Sequence, residues 1–277
     1  MSFLPHQRLI LIVGNYGSGK TEVSVNLAMA LRDEGYQVQI ADLDIVNPYF
    51  RCREARELMR SRDIRVVVPR GEQVSADLPI VLPELSGMLR PEEGKVTLFD
   101  VGGDDVGAKL LSSFAPVLEK HRVARGGEGG EGGEPTYVLW QVLNAKRPFT
   151  NTVEGCLKMR DAIEASSRLN VTGFVGNTHL MDETAPETIL EGWELAKKAS
   201  ERSGLPVAFV TAMEGLAQAK ELEAVGAPIF ELKRYMLPPW LAKQNTNVTS
   251  GSGEGEADEG NLPAARPVPI GRPSGAQ

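Results

Sequence analysis

Gly14-Asn15-Tyr16-Gly17-Ser18-Gly19-Lys20-Thr21 is a run of residues built to hold an anion. The spacing from Gly14 to Gly19-Lys20-Thr21 is that of a phosphate-binding loop. Glycines let the backbone curl until successive N–H groups point inward at phosphate oxygens. The helix that follows adds the positive end of its dipole. Lys20 can reach β- and γ-phosphates, and the Thr21 hydroxyl can sit on Mg²⁺. Gly14 through Thr21, with Glu22, are therefore the candidate nucleotide-binding residues. A dinucleotide fingerprint does not fit. Counted from Gly17, its third glycine would fall at Glu22; counted from Gly14, its second would fall at Tyr16.

Two acidic loops supply the rest of the chemistry. Ala41-Asp42-Leu43-Asp44 closes one apolar run, and alternation puts Asp42 and Asp44 on one side. Val96-Thr-Leu-Phe-Asp100 closes another and leads into Gly102-Gly103. A hydrophobic strand ending in Asp is the Walker B pattern, in which the carboxylate supports Mg²⁺. Lys20, Asp44 and Asp100 are the candidate catalytic residues, and Thr21, Asp44 and Asp100 the candidate Mg²⁺ holders, directly or through water. Asn177, after a later apolar run, could read a nucleobase edge with its amide. The guanine-specifying Asn-Lys-x-Asp pattern is absent, because Thr178 and Leu180 replace its lysine and aspartate; this favours adenine. His179 reads as a loop histidine. Arg147 reads equally as serving a phosphate or a partner subunit, or as a surface charge.

These residues need a parallel sheet to bring them together, since ligands sit beyond the carboxyl ends of its strands. The apolar runs 9–13, 38–41, 64–68, 96–99, 137–142, 171–175 and 207–210 lack polar alternation, as strands buried on both faces do. Helical patterning fills 20–33, 52–61, 106–120, 152–167, 185–203 and 214–222, with a short last helix over 229–236. The expectation is a three-layer α/β/α P-loop NTPase with a mostly parallel sheet of about seven strands. One nucleotide-binding domain is expected over 1–244, interrupted by a flexible Gly/Glu-rich loop at 125–135, with a disordered tail over 245–277.

Composition narrows the setting. The net charge of −7 argues against broad nucleic-acid binding. Two cysteines, Cys52 and Cys156, make neither a disulfide framework nor a metal site within one chain. No apolar run approaches the ~20 residues of a membrane span. Pro5, His6, Gln7 and Arg8 interrupt any leader-like apolar stretch, so a cytoplasmic location is expected.

The ordered set of the Gly14–Thr21 loop, the Asp42/Asp44 loop, Asp100-Val-Gly-Gly and Asn177 resembles the MinD/ParA/CobQ-type nucleotide-binding proteins of the SIMIBI class. The helix text Lys-Thr-Glu-Val-Ser-Val-Asn-Leu-Ala-Met-Ala-Leu is similar to that family's first helix, and the likeness runs over residues 8–236. The resemblance implies an ATP- and Mg²⁺-dependent switch with ATPase activity, a homodimer and a partner protein that reads the nucleotide state. One departure stands out. The family's second lysine, which reaches the partner subunit's ATP, is replaced here by Asn15. Arg51, Arg53, Lys109 and Arg147 are the cations that could substitute. A P-loop small-molecule kinase and a GTPase metallochaperone are the alternative readings.

Overall fold

The computed structural model describes residues 7–44, 56–68, 85–90, 92, 94–103, 105–120 and 136–235. They belong to one compact unit that ends at Leu237. The 125–135 loop, the 245–277 tail and the boundary after residue 244 lie outside the described residues, as do residues 48–53 and Asp104.

The elements follow the alternation expected from the sequence. They are β1 (Leu9–Gly14), α1 (Lys20–Asp33), β2 (Gln37–Leu43), α2 (Arg56–Ser61) and β3 (Arg65–Val67). Then come β4 (Lys95–Val101), α3 (Asp105–Lys120), β5 (Tyr137–Leu143), α4 (Val153–Ser167) and β6 (Gly173–Gly176). Last are α5 (Pro186–Ser203), β7 (Val207–Met213) and β8 (Ile229–Leu232). The strands form one sheet in the order β3-β2-β4-β1-β5-β6-β7-β8, and every pair is parallel.

Side chains alternate across the central strands, and both faces are apolar. Ile10 and Ile12 of β1 pack with Val23, Leu27 and Leu31 of α1. Leu9, Leu11 and Val13 point to the other face, against Leu111, Phe114 and Leu118 of α3. This is why β1 carries no polar alternation: a solvent face does not exist for it. β1 and β4 lie side by side, which brings the loop after β1 next to the end of β4.

The sheet has eight strands rather than about seven. The additional strand is β8, over residues expected to start a helix. Phe230 and Leu232 are buried while Glu231 is exposed, so the four residues alternate with period two as an edge strand does. A run this short fits either period, and only pairing to β7 settles it. The helix expected over 214–222 is also absent. Gly215 takes φ +87° there, a left-handed turn that breaks the run, and a 3₁₀ turn follows at Lys220–Ala224.

The chain leaving β8 is tied to α1. Asn26 Nδ2 donates to Lys233 O at 2.8 Å, and Lys233 N donates to Asn26 Oδ1 at 2.7 Å. Tyr235 N donates to Glu22 Oε1 at 2.6 Å. Asn26 is itself buried, so removing its amide strands two backbone groups. Asn26→Ala is expected to lower stability by about 2 kcal/mol in urea unfolding and to speed amide exchange at Lys233. An unchanged midpoint would contradict this zipper.

Candidate functional site

The loop between β1 and α1 is held by hydrogen bonds to its carbonyls. Three of these carbonyls meet donors. Asn15 O accepts from Ser18 N at 3.2 Å and from Lys20 Nζ at 3.1 Å. Gly17 O accepts from Arg147 Nε at 2.9 Å. Ser18 O accepts from Asn177 Nδ2 at 2.6 Å. The loop is thus braced from the ends of β5 and β6. Gly19 sits at φ +85°, and a Cβ there would lie 2.2 Å from Asn177 Nδ2, so both the turn and the brace require glycine. Gly103, after β4, is pressed against the same loop; a Cβ on it would lie 2.6 Å from Gly14 O.

The carboxylates stand behind Lys20 and Thr21. Asp42 and Asp100 are direct neighbours in the register of β2 and β4, and both are almost fully buried. Asp44 N donates to Asp42 Oδ1 at 3.1 Å, which orders the turn leaving β2. Ser24 Oγ donates to Asp100 Oδ1 at 3.3 Å, and Asp100 Oδ2 is buried with no hydrogen-bond partner. Burial, then the Asp42 charge, pushes the Asp100 carboxyl up to about 7, against the pull of the Thr21 hydroxyl and Lys20.

This donor set suits a hard divalent ion. The Thr21 hydroxyl and the orphaned oxygen of Asp100 are oxygen donors, and Mg²⁺ takes its remaining ligands from water and phosphate. Among the described residues, no group of three His, Cys, Asp or Glu side chains forms a metal cage by itself. A metal here would be held jointly with a nucleotide.

A cavity of about 680 Å³ opens beside the loop, lined by Tyr16, Gly17, Gly19, Lys20, Thr21, Glu22 and Asp44 on one side. Arg147 and the segments after β6, β7 and β8 form the other side. Asn15 is not among the lining residues. Its Oδ1 accepts from Tyr16 N and its Nδ2 donates to Pro148 O, each at 2.8 Å. Asn177 lines the cavity, but its amide is engaged at both ends: Nδ2 on Ser18 O and Oδ1 on the Thr211 hydroxyl. The structure therefore uses this amide as a strut between the loop and β7, where the sequence suggested a base reader. Glu22 likewise lines the cavity while holding the Tyr235 amide.

His179 sits in the loop after β6, as the sequence suggested, and is half-buried there. Burial, with Arg147 and Arg234 nearby, lowers its pKa to about 4, so the imidazole is neutral at physiological pH. Arg234 lines the cavity and pairs with Asp182. Thr211, Met213 and Arg234 were not singled out from the sequence. The rule that ligands sit past strand ends would have flagged residues 211–214, but Arg234 was hidden by reading β8 as a helix. Arg51 and Arg53 lie outside the described residues, and so does the side chain of Lys109. Cys156 is buried with its thiol pushed up to about 12, so it is no nucleophile at neutral pH. No helix among the described residues is long and apolar enough to cross a membrane.

The raised Asp100 pKa fixes a pH dependence of stability. The unfolded carboxyl titrates near its ordinary 3.8, and the folded one at about 7. Between those values the folded chain binds the extra proton, so this stabilisation is complete below about pH 4 and is lost as pH rises through about 7. The loss is on the order of a few kcal/mol. Asp100→Asn is expected to raise the melting temperature of the ligand-free protein at pH 8 and to raise it less at pH 5. Equal shifts at both pH values would show that no buried charge is being relieved.

Comparison with known proteins agrees with the loop chemistry. No curated protein matches the sequence. Among solved structures, FtsY from Mycoplasma mycoides matches at 17% identity and a TM-score of 0.43, over 72% of this chain and 58% of that one. The signal recognition particle 54 kDa protein from Aeropyrum pernix K1, in complex with GDP, matches at 20% identity and a TM-score of 0.48, over 76% and 42%. FlhF complexed with GTP and Mg²⁺ matches at 15% identity and a TM-score of 0.41, over 77% and 69%. This chain thus spans less than two thirds of the first two. The model of one sequence family, the CobQ/CobB/MinD/ParA nucleotide binding domain, matches residues 10–191, with the glycine-rich loop, both acidic strand ends and Asn177 inside the match. Covering well over half of the sequence, that match shows that the chain belongs to the CobQ/CobB/MinD/ParA nucleotide-binding family.

Proposed function

We propose that the protein binds Mg-ATP, hydrolyses it, and acts as a nucleotide-dependent switch for a partner protein. The observation that carries this reading is the braced loop with Thr21 and the orphaned Asp100 oxygen directly behind it. The loop amides and Lys20 bind the phosphates. Thr21 and Asp100 are the residues that would hold Mg²⁺, which when bound supplies charge neutralisation at the β- and γ-oxygens. Asp44, on the cavity wall, orients the attacking water. The water oxygen bonds to the γ-phosphorus as the bridging oxygen leaves with its electron pair on ADP. The released proton passes to solvent or inorganic phosphate.

Gly103 supports the switch. It packs on Gly14 O and Tyr16 N, so a change in the phosphate-binding loop is felt by the loop after β4. The resemblance to the MinD/ParA/CobQ type supports a homodimer and a cytoplasmic setting. Adenine is favoured because Leu180 stands where a guanine-reading carboxylate would be, and Asp182 is spent on Arg234.

Calorimetry and phosphate release on wild type and Lys20→Ala test this. Lys20→Ala is expected to lose about 100-fold or more in turnover. Equal turnover in both would end the ATPase reading. Phosphate appearing on an organic acceptor would identify a kinase instead, and preferential uptake of GTP would identify a GTPase.

A further inference from the structure

The turn after β5, residues 144–150, is built to be rigid. Asn144 and Thr150 are fully buried within it. Asn144 O accepts from Arg147 N at 3.1 Å and from the Thr150 hydroxyl at 3.2 Å. Asn144 Oδ1 accepts from Lys146 N at 2.9 Å, and Lys146 pairs with Glu191 on α5. Phe149 is held at φ +69°, a backbone region that costs a bulky residue strain and persists only when the surroundings enforce it.

This turn presents Arg147 to the cavity. Its Nε is fixed on Gly17 O, and none of the ion pairs among the described residues uses its guanidinium. It lines the cavity with Gly19, Lys20 and the neutral His179. A guanidinium with its fork unspent beside a phosphate-binding loop is matched to phosphate oxygens, which it takes two at a time. Asn15 completes the arrangement. Its amide donates to Pro148 O, the residue next to Arg147, so the side chain that replaces the lysine expected at this position anchors the turn that carries the arginine.

We propose that Arg147 is the second phosphate-facing cation of this site, supplied in cis from the turn after β5 and held in place by Asn15. It offsets the charge that builds on the phosphate oxygens as the γ-phosphoryl group transfers, a role worth about 10³-fold or more in rate. The proposal rests on the Mg-ATP reading above.

The test uses the full chain, with Mg-ATP and Mg-ADP titrated separately by calorimetry and turnover measured in parallel. Arg147→Ala is expected to weaken ATP at least 10-fold more than ADP and to lower kcat by about 10³-fold. Arg147→Lys, which keeps charge without the fork, should recover part of the ATP preference. If Arg147→Ala does not fold, Arg147→Gln and Arg147→Lys give the same ratio. Unchanged kcat, or equal weakening of ATP and ADP, would overturn the arginine's role while leaving nucleotide binding intact. A wild type that takes up neither nucleotide would overturn both readings.

Discussion

The molecule is organised around one backbone constraint. A loop that aims its N–H groups at an anion must aim its carbonyls elsewhere, and buried carbonyls need donors. Here one donor is local, Lys20 for Asn15 O, and two come from distant parts of the chain, Arg147 for Gly17 O and Asn177 for Ser18 O. The parallel sheet exists in a form that delivers them. β1 lies between β4 and β5, with β6 one place further out, so the ends of β5 and β6 flank the loop that leaves β1. Thr211, from β7, then holds Asn177 in turn. The phosphate-binding loop is therefore a shared product of four strand ends and not a local turn.

A second constraint opposes the first. Asp42 and Asp100 are buried side by side at the ends of β2 and β4, and burial alone makes ionisation of Asp100 costly. Such a cost is tolerated where charge is needed for function. A divalent ion at Thr21 would lower the Asp100 pKa and recover the lost stability, which couples folding energy to ligand binding. The same logic applies to Arg147, which lines the cavity and has no carboxylate partner among the described residues.

Much of this was legible in the sequence. The spacing from Gly14 to Thr21 predicts the loop because only glycines tolerate its backbone angles. The unbroken apolar runs predict strands buried on both faces, and the α/β/α layering follows from them. Asp100 is recognisable because an acidic residue closing an apolar run stands out at the carboxyl end of its strand. The edge was not legible. Residues 229–232 are too few to separate a period of two from one of 3.6, and pairing to β7 decided the matter. The partners of the Asn177 amide were not legible, since they depend on which backbone carbonyl folds against it.

The sequence by itself determined the loop, the acidic strand ends and the order of layers, because these follow from local backbone sterics and from hydrophobic periodicity. Only the tertiary structure decided what each polar side chain meets. Asn15 turned to Pro148, Arg147 to Gly17 and Glu22 to Tyr235 across separations of more than a hundred residues. Such contacts are set by strand order, which places loops together that no local pattern connects.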